Sequence, residues 1–251
     1  MRPANLRAAL VLLAAFMLAI SVQADAGDYK PDSRSIAIGP PAETPWMNGA
    51  QVQLIGNGSF ETESFPPWIF DSQGAGSWFV TNQSVAPLSG RPLQPPSDGL
   101  WQAVVDQTGP GRQILYQQFT IPAGHVAVLH LVYWYNNSAG VFSNAGNLGY
   151  LGVPNQHMRI DIMDSSAPID DTGAGVLDNL FITNPGDPAD VTPTALQADL
   201  SMFAGQTIRL RIAEVDNQDY FTVGIDAVSI QATGATPIQE MTWGSIKSIH
   251  R

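Results

Sequence analysis

Ala204-Gly205-Gln206-Thr207-Ile208-Arg209-Leu210-Arg211-Ile212 and, after it, Gly224-Ile225-Asp226-Ala227-Val228-Ser229-Ile230 decide the fold of this chain. Apolar side chains in the first segment alternate with arginines, which is the period of a β-strand that buries one face. The second segment is rich in branched apolar residues and has the same strand character. Together with Asn57-Gly58-Ser59-Phe60-Glu61 near the front, they indicate the two ends of one β-sandwich.

Short runs rich in Val, Ile, Tyr, Phe and Thr recur between these ends, and Gly, Pro, Asn and Asp separate the runs. No window shows the apolar stripe of an amphipathic helix. The pattern therefore predicts an all-β chain, folded as a two-sheet antiparallel β-sandwich. The candidate strands are Gln51–Ile55, Trp78–Asn82, Leu100–Asp106, Ile114–Ile121, Ala127–Asn136, Met158–Asp164, Leu177–Thr183, Thr194–Asp199, Thr207–Val215 and Thr222–Gln231.

Strand alternation assigns side chains to opposite faces. In the two strands that carry arginines, the isoleucines share the core face, and the charged residues should point outward, away from the core. This outward set is Arg159, Asp161, Arg209 and Arg211. Two alternating sets within Leu129–Asn136 are each apolar enough to be buried, and we favour as core the set Leu129, Leu131, Tyr133 and Tyr135.

The opening and closing segments resemble the first and the last two strands of galactose-binding-like jelly rolls, a superfamily that includes many carbohydrate-binding modules. The superfamily also includes adhesive and purely structural proteins, so the resemblance implies a fold more than a ligand. It further implies a structural calcium ion, held by a backbone carbonyl and a glutamate of the opening segment and an aspartate of the closing one. Gly58, Glu61 and Asp226 match these positions, with Asp98 or Asp106 as a further carboxylate. The alternative is that Glu61 caps a loop and Asp226 accepts backbone hydrogen bonds.

Segments in the middle of the chain also resemble an uncharacterised domain of exported bacterial proteins. They are Asp106–Gln117, Ile121–Gly124, Asn155–Ile162 and Glu214–Gln218, and the resemblance spans residues 57–230. It implies no activity. We expect the glycines and prolines of these segments, such as Gly109-Pro110-Gly111, to form tight turns between strands.

A sugar-binding face is predicted from the outward positions. Such a face needs an aromatic ring to stack on a pyranose and planar polar groups to bind its hydroxyls. Trp134 is the candidate ring. The candidate polar groups are Asn136, Arg159, Asp161, Arg209 and Arg211, provided that their strands lie in one sheet. The alternative is that the charged residues form cross-strand ion pairs and that Trp134 is part of the core.

The N-terminus has the composition of an export signal. Arg2 and Arg7 precede the apolar run Ala8–Ile20, and the small residues ending at Ala24 suit a signal peptidase. The apolar run is shorter than the roughly 20 residues of a membrane-spanning helix. We therefore expect a protein secreted to the periplasm or the extracellular space, with no transmembrane segment in the mature chain.

The expected organisation is a signal peptide at 1–24, an extended leader or linker at 25–50, the jelly roll at 51–232, and a linker with a short tail at 233–251. Removal of residues 1–24 leaves nine basic and 22 acidic residues, a net charge of −13. Nucleic acids and anionic membranes are therefore disfavoured as partners. The chain has no cysteine, so no disulfide contributes to its stability.

Catalysis has little support in the sequence. The four histidines lack metal-ligand spacing, and no nucleophile elbow or phosphate-binding loop is present. We therefore expect a secreted, non-catalytic module that binds a carbohydrate or another extracellular ligand and holds a structural calcium ion. The alternatives are a structural or adhesive surface protein without a small-ligand site and, third, a glycan-active hydrolase.

Overall fold

A computed structural model of the chain describes residues 51–234. The predicted signal peptide, leader and C-terminal tail lie outside these residues. The described part is formed by nine strands and one short 3-10 helix, Ser201–Phe203. The strands are β1 (Gln51–Gln53), β2 (Ile69–Thr81), β3 (Gln102–Thr120), β4 (His125–Asn137), β5 (His157–Asp164), β6 (Val176–Ile182), β7 (Asp190–Asp199), β8 (Thr207–Asp216) and β9 (Phe221–Gly234).

All strand pairs in the described residues are antiparallel, and they form two layers that share β3. Residues 111–120 of β3 pair with β8, and β5 and β6 extend this layer, which we call sheet I. Residues 103–105 of β3 pair with β9, and β4 and β7 extend that layer, which we call sheet II. β2 lies beside β3 along both parts, and β1 pairs with the end of β9. The predicted two-sheet antiparallel sandwich is confirmed.

The core lies between the two sheets, and alternation predicts most of its members correctly. The set Leu129, Leu131, Tyr133 and Tyr135 of β4 is buried in it, as we favoured. β9 departs from simple alternation at Ala227, whose φ of 52° marks a bulge. The bulge lets Ile225 and Val228 both reach the core, and it leaves Asp226 on the outer face of sheet II.

The expected turn at Gly109-Pro110-Gly111 is wrong, because these residues lie inside β3. They occupy the point at which β3 passes from sheet II to sheet I. The pairing register with β2 shifts here, between Gly74 and Gly76. A proline is tolerated because the ladder is already interrupted at this bulge.

Two long connections cover the outer faces of the sandwich. Residues 82–101, between β2 and β3, lie over sheet II, where Gln102 donates a hydrogen bond to the carbonyl of Gln94. Residues 165–175, between β5 and β6, lie over sheet I, where arginines of β8 bind their carbonyl groups. No helix within residues 51–234 is long and apolar enough to cross a membrane.

Candidate functional site

A groove on the outer face of sheet II is built around Trp134 of β4. The indole packs on Gly224, the residue opposite it on β9, where any Cβ would collide with the ring. Its N–H donates a 2.9 Å hydrogen bond to Oε1 of Gln102 on β3. The ring is only 2 % exposed, and its remaining surface forms part of the groove wall. The aromatic residue predicted from the sequence is therefore fixed in place by two neighbouring strands.

Polar groups surround this groove, which has a volume of about 330 Å³. Asn136 lies two residues after Trp134 on the same face of β4 and donates a hydrogen bond to Oδ1 of Asp190 on β7. Arg91 reaches the groove from the covering connection and lies 5.3 Å from the ring centre of Tyr220. Its Nε is a buried donor without a hydrogen-bond partner. The other lining residues are Pro92, Gln94, Tyr135, Val191 and Thr192.

Three carboxylates hold the connection 82–101 against sheet II. Each accepts hydrogen bonds from two backbone N–H groups of this connection. Asp106 binds those of residues 88 and 89, Asp226 those of residues 97 and 98, and Glu61 those of residues 100 and 101. Hydrogen bonds to an ionised acceptor are stronger than neutral ones. The wall that carries Arg91 is therefore held rigidly before any ligand arrives.

The three residues predicted to bind calcium lie around one end of this connection. The carbonyl of Gly58 accepts a 2.9 Å hydrogen bond from the N–H of Val228, just after Asp226. Glu61 and Asp226 bind opposite ends of residues 97–101. Asp98 accepts a hydrogen bond from Ser59, beside Gly58. Of the two further carboxylates, Asp98 and Asp106, it is therefore Asp98 that lies near these three residues. We call Gly58, Glu61 and Asp226 the clamp.

The clamp has the all-oxygen chemistry that calcium prefers, but its oxygens already have protein partners. Burial raises the pKa of Asp226 to about 6, against the lowering effect of the backbone N–H groups that it binds. Within residues 51–234, no group of three acidic, histidine or cysteine side chains is arranged to hold a metal ion. Calcium at the clamp stays a prediction.

Arg159, Asp161 and Arg211 form a buried ion network on the outer face of the other layer, sheet I. Arg159 binds Asp161 through two hydrogen bonds of 2.8 and 2.9 Å. Arg211 also binds Asp161, and its other nitrogen donates to the carbonyls of residues 169 and 171. Asp161 and Arg211 have no exposed surface. Burial lowers the pKa of Arg211, and the neighbouring Asp161 opposes this shift.

Arg209 is occupied in a similar way. Its guanidinium donates hydrogen bonds to the carbonyls of Ser165 and Ala167 and lies 5.0 Å from the ring centre of Tyr116. These charged residues do face away from the core, as alternation predicts. They are nevertheless buried, because the connection 165–175 covers Arg209 and Arg211 and Arg159 is bound to Asp161.

The predicted sugar-binding residues are consequently divided between two opposite surfaces. Trp134 and Asn136 come together in the groove on sheet II, whereas the predicted arginines and Asp161 lie beneath a connection on sheet I. The condition that their strands share one sheet is not met. The structure places Arg91, Gln94 and Asp190 beside Trp134 instead, and the sequence had not indicated them.

A second polar feature that sequence reasoning missed lies between the sheets, at one end of β8. Glu214 and Asp216 are buried there, on the face that also carries Leu210 and Ile212. Burial raises the pKa of Asp216 to about 7 and that of Glu214 well above its usual value. Alternation along β8 would have placed both carboxylates on the core face, so the signal was present in the sequence.

No family model matches the chain, and no curated protein matches it. The expected resemblance to an uncharacterised exported domain therefore stays a prediction. Solved structures that are similar include TmCBM61 in complex with β-1,4-galactotriose, at 14 % identity over 71 % of this chain and 97 % of that one, with a TM-score of 0.42. The strand pairing shows an antiparallel β-sandwich, and the galactose-binding-like jelly roll stays a prediction from the sequence.

Other solved structures that are similar to this chain differ in their described roles. The K3 cleaved adhesin domain of Lys-gingipain from Porphyromonas gingivalis is 12 % identical over 74 % of this chain and 99 % of that one, with a TM-score of 0.45. A Stig cyclase from Fischerella is 17 % identical over 74 % of this chain and 100 % of that one, with a TM-score of 0.40. The β-sandwich of this chain is shown by its own strand pairing and core.

Proposed function

We propose that the protein is a secreted, non-catalytic binding module that recognises a carbohydrate in the groove on sheet II. The observation that carries the proposal is one groove lined by planar polar groups around the buried Trp134, which is 2 % exposed and shapes the groove without offering a free ring face. Amide, carboxylate and guanidinium groups are the groups that bind sugar hydroxyls. Asn136, Asp190 and Arg91 supply these three groups.

The test is binding of the purified protein to a glycan array, followed by affinity measurement on the sugars it retains. We expect Asn136→Ala and Arg91→Ala each to weaken binding about tenfold, since each removes hydrogen bonds worth about 1.5 kcal/mol to the ligand. Gln118→Ala, an exposed substitution on sheet I, is the matched control and should leave the affinity unchanged. A lack of binding to every glycan on the array would contradict the proposal and favour the adhesive or structural alternative. Turnover of a glycan would instead show a hydrolase.

We also propose a structural calcium ion at the clamp, supported by its hard oxygen donors from remote segments of the chain. Binding only to the folded state would stabilise it by about 2.7 kcal/mol at a hundredfold excess over Kd. For a domain of this size we therefore expect a chelator to lower the melting temperature by about 5 °C or more. Glu61→Gln should reduce that shift. A melting temperature that is the same with and without chelator would rule out the ion.

A further inference from the structure

Five buried side-chain oxygens at one end of the sandwich have no hydrogen-bond partner. They belong to two carboxylates and two carboxamides: both oxygens of Glu214, Oδ1 of Asp216 and Oε1 of Gln107 and Gln113. All four residues are buried, with at most 2 % of their surface exposed. Buried polar atoms are nearly always paired, so five such oxygens in neighbouring residues need an explanation.

These four residues lie together on adjacent strands. Gln113 of β3 is directly opposite Glu214 of β8, and both side chains share the core face. Asp216 follows Glu214 by two residues and has the same orientation. The amide of Gln107 lies beside the Asp216 carboxylate, and both Cβ of Gln107 and Nε2 of Gln113 lie close to Gly76. The oxygens therefore surround one region beneath the point at which β3 changes sheets.

No cation of the described residues neutralises this cluster. The four ion pairs within residues 51–234 use Arg112, Arg159 and Arg211, and none of them includes Glu214 or Asp216. The charged forms of both carboxyl groups carry a large desolvation cost at this buried position, and a bound cation would offset it.

We propose that Gln107, Gln113, Glu214 and Asp216 bind a divalent metal cation, with Ca²⁺ as the species that fits them best. The five unpartnered oxygens are hard metal ligands, and the two carboxylates balance a charge of 2+; the sixth unpartnered atom of these side chains, Nε2 of Gln113, is an N–H donor that binds no cation. Calcium takes six to eight oxygen ligands and accepts irregular geometry, so one to three waters would complete the shell.

Two of the four residues also line a surface cavity of about 180 Å³, namely Asp216 and Gln107. The rest of its lining is residues 108–110 and 217–220. An ion would approach the site from this cavity. Asp219 at its edge adds negative charge to the path.

This site is separate from the clamp and does not depend on the proposed sugar groove. The clamp residues Glu61 and Asp226 bind the connection that covers the outer face of sheet II, whereas Glu214 and Gln113 lie between the sheets. A substitution can therefore remove calcium binding at either site and leave the other site intact.

Calorimetric titration of the chelator-treated, purified protein with CaCl₂ tests the proposal. We expect Glu214→Gln and Asp216→Asn each to weaken one calcium-binding event at least tenfold, because each removes a charged ligand with little change of shape. Glu61→Gln is the control and should leave that event unchanged. Equal binding by wild type and Glu214→Gln, or no calcium binding by the wild type at millimolar concentration, would overturn the proposal. Loss of the event in Glu61→Gln but not in Glu214→Gln would also overturn it, since it would assign the ion to the clamp.

Crystals of the wild type grown with CaCl₂ provide a measurement that does not depend on a variant folding. An anomalous difference peak within about 2.6 Å of Glu214 and Asp216 oxygens is the expected result. Ordered waters in its place, with no anomalous signal, would contradict the site.

Discussion

Asp161→Asn is expected to lower the free energy of unfolding by about 3–5 kcal/mol. The substitution keeps the shape of the side chain but removes the negative charge shared by Arg159 and Arg211. Two guanidinium groups would then lie buried beside each other with no counter-charge. Denaturant unfolding of the variant and the wild type, monitored by tryptophan fluorescence, measures the difference.

Asp164→Asn is the matched control, because Asp164 is the exposed end of the same strand and binds only Ser166. Its loss of stability should stay below about 1 kcal/mol, as for other exposed polar groups. Equal losses for Asp161→Asn and Asp164→Asn would show that the buried network does not carry the stability assigned to it.

Trp134→Ala is expected to cost about 3–5 kcal/mol, the range for removing a large buried aromatic side chain. The alanine would leave a cavity above Gly224 and would orphan the Oε1 acceptor of Gln102. Trp134→Phe keeps an aromatic ring and loses chiefly the indole hydrogen bond, so its cost should be clearly smaller. Thermal and denaturant unfolding measure both variants. Wild-type stability in Trp134→Ala would mean that the ring does not pack on β9.

Trp134→Ala is a poor test of sugar binding. If this variant bound less sugar, the cause could be either an altered groove or a smaller amount of folded protein. Asn136 is only partly buried and makes one side-chain hydrogen bond, to Asp190. Substitution of Asn136 therefore reports on the groove more directly than substitution of Trp134.

Alternation predicted the strands and their faces well, because most of this chain repeats with a period of two. It was insufficient at two positions where the backbone itself departs from that period. One is Ala227, whose positive φ lets residues of opposite parity reach one core. The other is Gly109-Pro110-Gly111, where a strand continues through residues that usually form a turn. Both depend on contacts with a neighbouring strand, which local sequence does not report.

The candidate site was only half predictable for a related reason. Strand alternation predicts which way a side chain points, but it does not predict which other part of the chain covers that face. Arg209 and Arg211 point away from the core as expected, yet residues 165–175 cover them. In the same way, Arg91 comes to Trp134 from a connection without strand periodicity. Long connections decide which outer surfaces remain available to ligands.

β3 belongs to both layers, and this constrains how the molecule opens. A motion that separates the sheets must break the pairing of β3 with β8 or with β9, and both pairings belong to one continuous strand. The two sheets are thus coupled into one cooperative unit instead of two that open in turn. Amide hydrogens of Val104 and Leu115, in the two parts of β3, should give the same free energy of opening in hydrogen exchange, that of global unfolding.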